Sequence, residues 1–201
     1  MDAEERASVS APLRDWLGRL AQKDGAPGGG SASGVLLGIG AALLEMVLAY
    51  SDPDDESGLR GRAGSLRADA LEDALADATA SAALGAALAR PTDDPDREGE
   101  IRETGDDAAR TSMRLGDTGL RLVTLLEETA DRAIPAVIAD LGVAAEALSA
   151  GLGGALINLR SDLTLIARHG TDAPDDLAKA ADRMDAARRQ AAARADRVRE
   201  S

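Results

Sequence analysis

Gly25-Ala26-Pro27-Gly28-Gly29-Gly30-Ser31-Ala32-Ser33-Gly34 runs without a break into Val35-Leu36-Leu37-Gly38-Ile39-Gly40-Ala41-Ala42-Leu43-Leu44, a glycine turn feeding an apolar stretch. Three successive glycines carry no Cβ, so the backbone can approach another group closely. Ser31 stands where a helix N-cap would stand. A helix opened in this way directs unpaired N–H groups at whatever occupies the turn, which suits an anion or a polarised carbonyl. A glycine linker followed by an ordinary cap fits the same residues. The apolar positions after the turn go nearly all the way round, so the pattern predicts an enclosed helix to about Ala49. Glu45 and the glycines at its start argue against a membrane span.

The rest of the chain must enclose that helix with small side chains. Phe is absent and the only large rings are Trp16 and Tyr50, which favours closely packed helices over a sheet. Leu13, Trp16, Leu17 and Leu20 recur at helical spacing and predict a short amphipathic helix over about 11–22. Further helices are expected over about 64–89, 96–131 (divided near Gly116 or Gly119), 141–168 and 174–199. Pro91, Pro95 and Pro135 supply the breaks, and Thr171 or Asp172 the last cap. The expected fold is all-α, a single domain over 1–201 of about six helices. The charged segment 171–201 is read as a peripheral C-terminal helix.

Thirty-six acidic against 23 basic residues give a net charge of −13, which argues against nucleic acid and anionic membranes as partners. With no cysteine and a single histidine, His169, there is no thiol chemistry, no His-based triad and no zinc site of the usual kind. Met1 to Ser10 lacks the apolar run of a signal peptide, so the expected location is cytoplasmic. A P-loop is excluded, since no lysine lies between Lys23 and Lys179, and Gly38-Ile39-Gly40 lacks the third glycine of a dinucleotide fingerprint.

Three segments together resemble one family. Ala26-Pro27-Gly28-Gly29-Gly30-Ser31 with its small-residue helix is similar to the start of the cyclodeaminase/cyclohydrolase family, which includes formimidoyltetrahydrofolate cyclodeaminase and methenyltetrahydrofolate cyclohydrolase. Asp140-Leu141-Gly142-Val143-Ala144-Ala145 resembles that family's Ser-Asp-x-x-Val-Ala segment. Asn158-Leu159-Arg160-Ser161-Asp162-Leu163 resembles its Asn-Val-Arg/Lys-Ile-Asn-Leu segment, with Asp162 in place of the second asparagine. Asp77 and Ala80 match its Asp-x-x-Ala-Tyr/Phe pattern, with Ser81 where the ring would be. The resemblance implies an all-helical homodimer that binds a tetrahydrofolate derivative in a cleft lined by the glycine turn and by polar residues of the central helices, with no metal and no cofactor beyond the folate.

In that chemistry N10 of a formimino-folate attacks the one-carbon carbon and ammonia leaves, or water attacks the same carbon and the ring opens. Both routes pass a tetrahedral centre and call for a carboxylate with a raised pKa. Asp140 is the expected acid–base group, with an N-cap for the helix beginning at Leu141 as the equal alternative, since one side chain can hardly serve both roles. Gly28, Gly29, Gly30, Ser31, Asp77, Asn158 and Arg160 are the expected substrate-binding residues. Polar residues satisfied across a helix interface remain an equal reading of Asn158 and Arg160. Asp140 and Asn158 are 158 − 140 = 18 positions apart, about 27 Å on a continuous helix. Either Gly151-Leu152-Gly153-Gly154 breaks that helix, or the two residues serve different sites, which a dimer could bring together. Ser51-Asp52-Pro53-Asp54-Asp55-Glu56 stands where the family carries a lysine run, which predicts repulsion of a folate's carboxylate tail unless Arg60, Arg62 or Arg67 faces the cleft. The absence of a transferase segment leans toward the cyclohydrolase. The alternative function is a helical binding or assembly module without catalysis.

Overall fold

The computed structural model describes residues 13–23, 26–170 and 174–200. Among these lie six α-helices: α1 (Leu13–Leu20), α2 (Gly29–Ser51), α3 (Leu59–Leu88), α4 (Arg97–Ala130), α5 (Ile138–Arg168) and α6 (Asp175–Arg199). A 3₁₀ turn at Pro135–Val137 precedes α5, as the fixed φ of proline allows. The all-α bundle expected from the sequence is the fold observed. The signal-peptide region and the caps expected at Thr171 or Asp172 lie outside the described residues.

Small residues decide how the helices meet. A Cβ at Gly34 would stand 2.5 Å from the Cβ of Ala74 and 2.8 Å from the Ala70 carbonyl, and one at Gly40 would stand 2.5 Å from Leu148. α2 is thus clamped between α3 and α5, antiparallel to both, with Leu37, Leu44 and Leu48 fully buried. α4 runs parallel to α2 behind it and presents Leu115, Leu122, Leu125 and Leu126 to the same core. Trp16 of α1, 2% exposed, lies beside Val35 and Gly38 of α2 and Leu71 of α3, and Tyr50 projects into solvent.

Two expected breaks are absent. α4 continues through Gly116 and Gly119, because these glycines admit Met184 of α6 and Leu152 of α5. α5 continues through 151–154, where Gly151 and Gly154 receive Leu37 and Ser33 of α2. Glycine costs helix propensity at each position, and the close contacts offset that cost.

α6 is tied in more closely than its charge suggested. It buries Leu177, Ala180, Ala181, Met184, Ala187, Ala191 and Ala195 against α4 and α5, and its outer face carries the charges. Arg194 pairs with Glu127 of α4, and Arg199 with Glu146 of α5. α2 and the segment 135–168 are both long and apolar enough to cross a membrane, yet about half of each apolar window is buried inside the bundle. That is the pattern of core helices.

Candidate active site

The amino end of α2 is where polar side chains from three other helices converge. Gly28 is the N-cap and has no side-chain cap bond. The first intrahelical bond is Ala32 N–H to Gly28 C=O, 3.0 Å, so helix geometry leaves the Gly29, Gly30 and Ser31 amides without intrahelical acceptors. Ser31 is not the cap that the sequence suggested. It lies in the first turn and donates its hydroxyl to the Ala74 carbonyl of α3, 3.2 Å, pinning the two helices together. Ser33 donates to the Gly29 carbonyl, 2.8 Å.

Asp77 of α3 faces this turn and is 3% exposed. A Cβ at Gly30 would overlap its carboxyl group far inside van der Waals contact, so only glycine lets the carboxyl lie there. One step earlier, a Cβ at Gly29 would meet Asn158 Oδ1 of α5 at 3.3 Å. The structure therefore brings Asp77 and Asn158 to the turn.

Four residues complete the cluster. Burial pushes the Asp77 carboxyl up to about 6, with hydrogen bonds to Ser81 and Thr111 opposing the shift. Next to Thr111 on α4, the fully buried Ser112 donates to Asp162 Oδ2, 3.4 Å. Burial raises Asp162 to about 7, and the Asp77 charge raises it further. Asp162 is one helical turn beyond Asn158 on α5, so the two share a face. The sequence signal for Thr111 and Ser112 was a small polar pair inside a leucine-patterned helix. For Asp162 it was the i, i+4 spacing from Asn158. A groove of about 650 Å³ opens beside Thr111 between α3 and α4, floored by Leu75, Ala76 and Ala80 and edged by Arg110 and Arg114.

Other expected residues are placed elsewhere. α5 begins at Ile138, so Asp140 is in its first turn and not its N-cap, where it complements the helix dipole. Because α5 is unbroken, Asp140 lies about 27 Å from Asn158, at the far end of the bundle. Arg160 is exposed and its charge acts on Asp185 of α6. His169 ends α5 with Nδ1 2.6 Å from Glu98 of α4, and Glu45 pairs with Arg67 at 3.1 Å.

The acidic segment is also remote. Ser51 to Gly58 follows the carboxyl end of the 23-residue α2, about 33 Å from the glycine turn. That exceeds three Debye lengths at physiological salt, so its acids do not repel a ligand in the cleft. Arg62 pairs with Glu128, Arg67 with Glu45, and Arg60 donates to the Pro53 carbonyl, so none of the three is turned to the cleft.

An all-helical bundle with a buried carboxyl set against an uncapped glycine turn is a candidate acid–base site without a thiol or an imidazole. Residues 12–172 match the formiminotransferase-cyclodeaminase family, and the chain belongs to that family. Among solved structures it is similar to formiminotetrahydrofolate cyclodeaminase from Thermotoga maritima, with 19% identity and a TM-score of 0.80 over 94% of this chain and 96% of that one. At that identity the likeness shows the fold. No curated protein matches the chain.

Proposed function

We propose that the protein is a folate-dependent one-carbon enzyme, a cytoplasmic homodimer that cyclises formimidoyltetrahydrofolate with release of ammonia, and that Asp77 is its acid–base group. The observation that carries this reading is the buried Asp77 carboxyl lying on the Gly29-Gly30 turn, with a pKa raised to about 6. A carboxyl tuned toward neutrality can take the N10 proton as N10 bonds to the one-carbon carbon and return it as the C–N bond to ammonia breaks. The free amides of α2 and the Asn158 side chain supply hydrogen bonds to hold the pterin. The groove beside Thr111, edged by Arg110 and Arg114 and by Glu72 and Asp107, has room for the ring system. The proposed chemistry uses no group beyond the folate.

Hydrolysis of methenyltetrahydrofolate passes through the same tetrahedral carbon, so the same residues serve a cyclohydrolase. The homodimer reading rests on one face of α2 and α5. Ile39 and Tyr50 on α2, and Val143 and Ile157 on α5, are between 46% and 69% exposed there. Exposed apolar side chains of this kind give two chains of net charge −13 a surface on which to meet.

Mixing the protein with formimidoyltetrahydrofolate and following methenyl absorbance tests the reading, with the reverse assay on methenyltetrahydrofolate beside it. Accelerated conversion in either assay supports it. No acceleration in both, together with no heat of folate binding by calorimetry, overturns it in favour of a binding module.

A further inference from the structure

Gly29, Ala32, Leu36, Ile39, Leu43, Met46 and Tyr50 follow one another along α2 in alternate steps of three and four residues. That is the spacing of a coiled-coil seam. Every member is half-buried or exposed and none is charged, so an apolar seam faces outward from the bundle. Leu13 of α1 stands beside its midpoint at Ile39, and Val143 and Ile157 extend the apolar surface onto α5. The seam is graded in size, from Gly29 and Ala32 at the amino end to Met46 and Tyr50 at the carboxyl end. A second copy laid antiparallel about Ile39 sets Tyr50 over Gly29, Met46 over Ala32 and Leu43 over Leu36, so that large meets small at each end. A parallel copy sets Tyr50 on Tyr50 and Gly29 on Gly29, a clash at one end and a void at the other. It also brings the two acidic segments 51–56 side by side, whereas the antiparallel copy separates them and opposes the helix dipoles. Seam and flank measure roughly 30 Å by 20 Å, on the order of 600 Å² per chain and 1,200 Å² in all, enough for a specific dimer.

We propose that two copies pair antiparallel along α2 and that each supplies Tyr50 to the other's cleft, as the aromatic surface on which a flat heterocycle stacks. The inference rests on the homodimer reading and, for the identity of the heterocycle, on the folate reading. Trp16 and Tyr50 are the only large rings in the chain, and Trp16 is buried. Tyr50 is 50 − 29 = 21 positions from Gly29, about 32 Å along α2, so it does not reach the cleft of its own chain. Gly29 stands against Asn158. Tyr50 of the partner subunit, set over Gly29, therefore closes the open side of the cleft with the ring that Ser81 does not provide. Asp52 and Asp55 of the partner subunit lie past the turn, with their carboxylates bonded to amides of their own chain.

The chain has no cysteine, so introduced cysteines report the register without substrate. Tyr50→Cys mixed with Ala32→Cys and treated with a short bismaleimide is expected to give a cross-linked dimer on a denaturing gel. Ile39→Cys is expected to cross-link alone, and Tyr50→Cys alone is not. A Tyr50→Cys chain that links to itself, or a mixture that does not link, overturns the proposal. A native chain that sediments as a monomer overturns it together with the homodimer reading. In turnover, Tyr50→Ala should raise KM about tenfold and Tyr50→Phe leave it within a few-fold, since the ring carries the contact. Co-expressing Asp77→Asn with Tyr50→Ala then tests the exchange. Mixed dimers regain one complete cleft, so turnover at low folate should reach about a quarter of the native value. Turnover no higher than that of Tyr50→Ala alone overturns the exchange. The expected cross-links in a chain that converts no folate support the pairing and overturn the folate reading alone.

Discussion

The two ends of α2 both face aspartates, and the same side chain behaves oppositely at each. At the carboxyl end, Asp52 lies in water and accepts the Glu56 and Ser57 amides, 3.2 Å each, and the Ser57 hydroxyl at 2.6 Å. These bonds hold it below the ordinary carboxylate range. At the amino end, Asp77 is buried and Asp162 half-buried, and both are pushed up toward neutrality by that burial. Among the described acids, burial sets these two apart by pushing them up to about 6 and about 7.

The sharpest way to break that contrast is Asp77→Asn. Turnover of formimidoyltetrahydrofolate should fall by roughly 10²-fold or more, the usual worth of a positioned acid–base group. The same variant should be more stable at pH 8, since it no longer ionises a buried acid, by about 1–3 kcal/mol in chemical denaturation. Gly30→Ala comes next, because it pushes a methyl group into the Asp77 carboxyl. A loss of about 1–3 kcal/mol of stability is expected from such overpacking. Turnover should drop with it, and a fully active Gly30→Ala would show that the carboxyl need not lie on the turn.

Stability against pH separates the two ends by sign. At the amino end the folded chain retains protons that the unfolded chain has released. The contribution of Asp77 and Asp162 is therefore full below the ordinary carboxylate range and is lost as the pH rises toward 7. Asp52 contributes above the ordinary range and loses its contribution as the pH falls through its lowered value. Thermal melts from pH 4 to 8 should show the first trend flattened in the Asp77→Asn, Asp162→Asn double variant and unchanged in Asp52→Asn. The smallest effect belongs to Asp140→Asn, for which turnover is expected to stay within about threefold, since the residue is roughly 27 Å along α5 from Asn158. A large loss there would show that the cleft draws on the distant end of the bundle.

Element type was legible in the chain because apolar spacing, prolines and the glycine turn all point to helices. Where glycines fell inside a helix, the sequence could not show whether they end it. Gly116, Gly119 and Gly151 are helical because a leucine or methionine from another helix fills the space above them, and that partner is remote in sequence. The turn, Asp77 and Asn158 were legible through the family pattern. Asp162 stood out as a departure from it and by its i, i+4 spacing from Asn158. How far Asp140 and the acidic segment lie from the turn was not legible, because composition carries no distances. One unbroken helix in each case takes them about 30 Å from the cleft.

The clamped glycines of α2 have a consequence for how this chain can drift. Glycine and alanine codons differ at one base, so a single mutation offers alanine at any of these sites. At Gly30, Gly34 and Gly40 the added methyl group has nowhere to go. Most proteins are damaged when large core residues are trimmed. This one is as exposed to the opposite error, and its lineage is held in place by what may not be added.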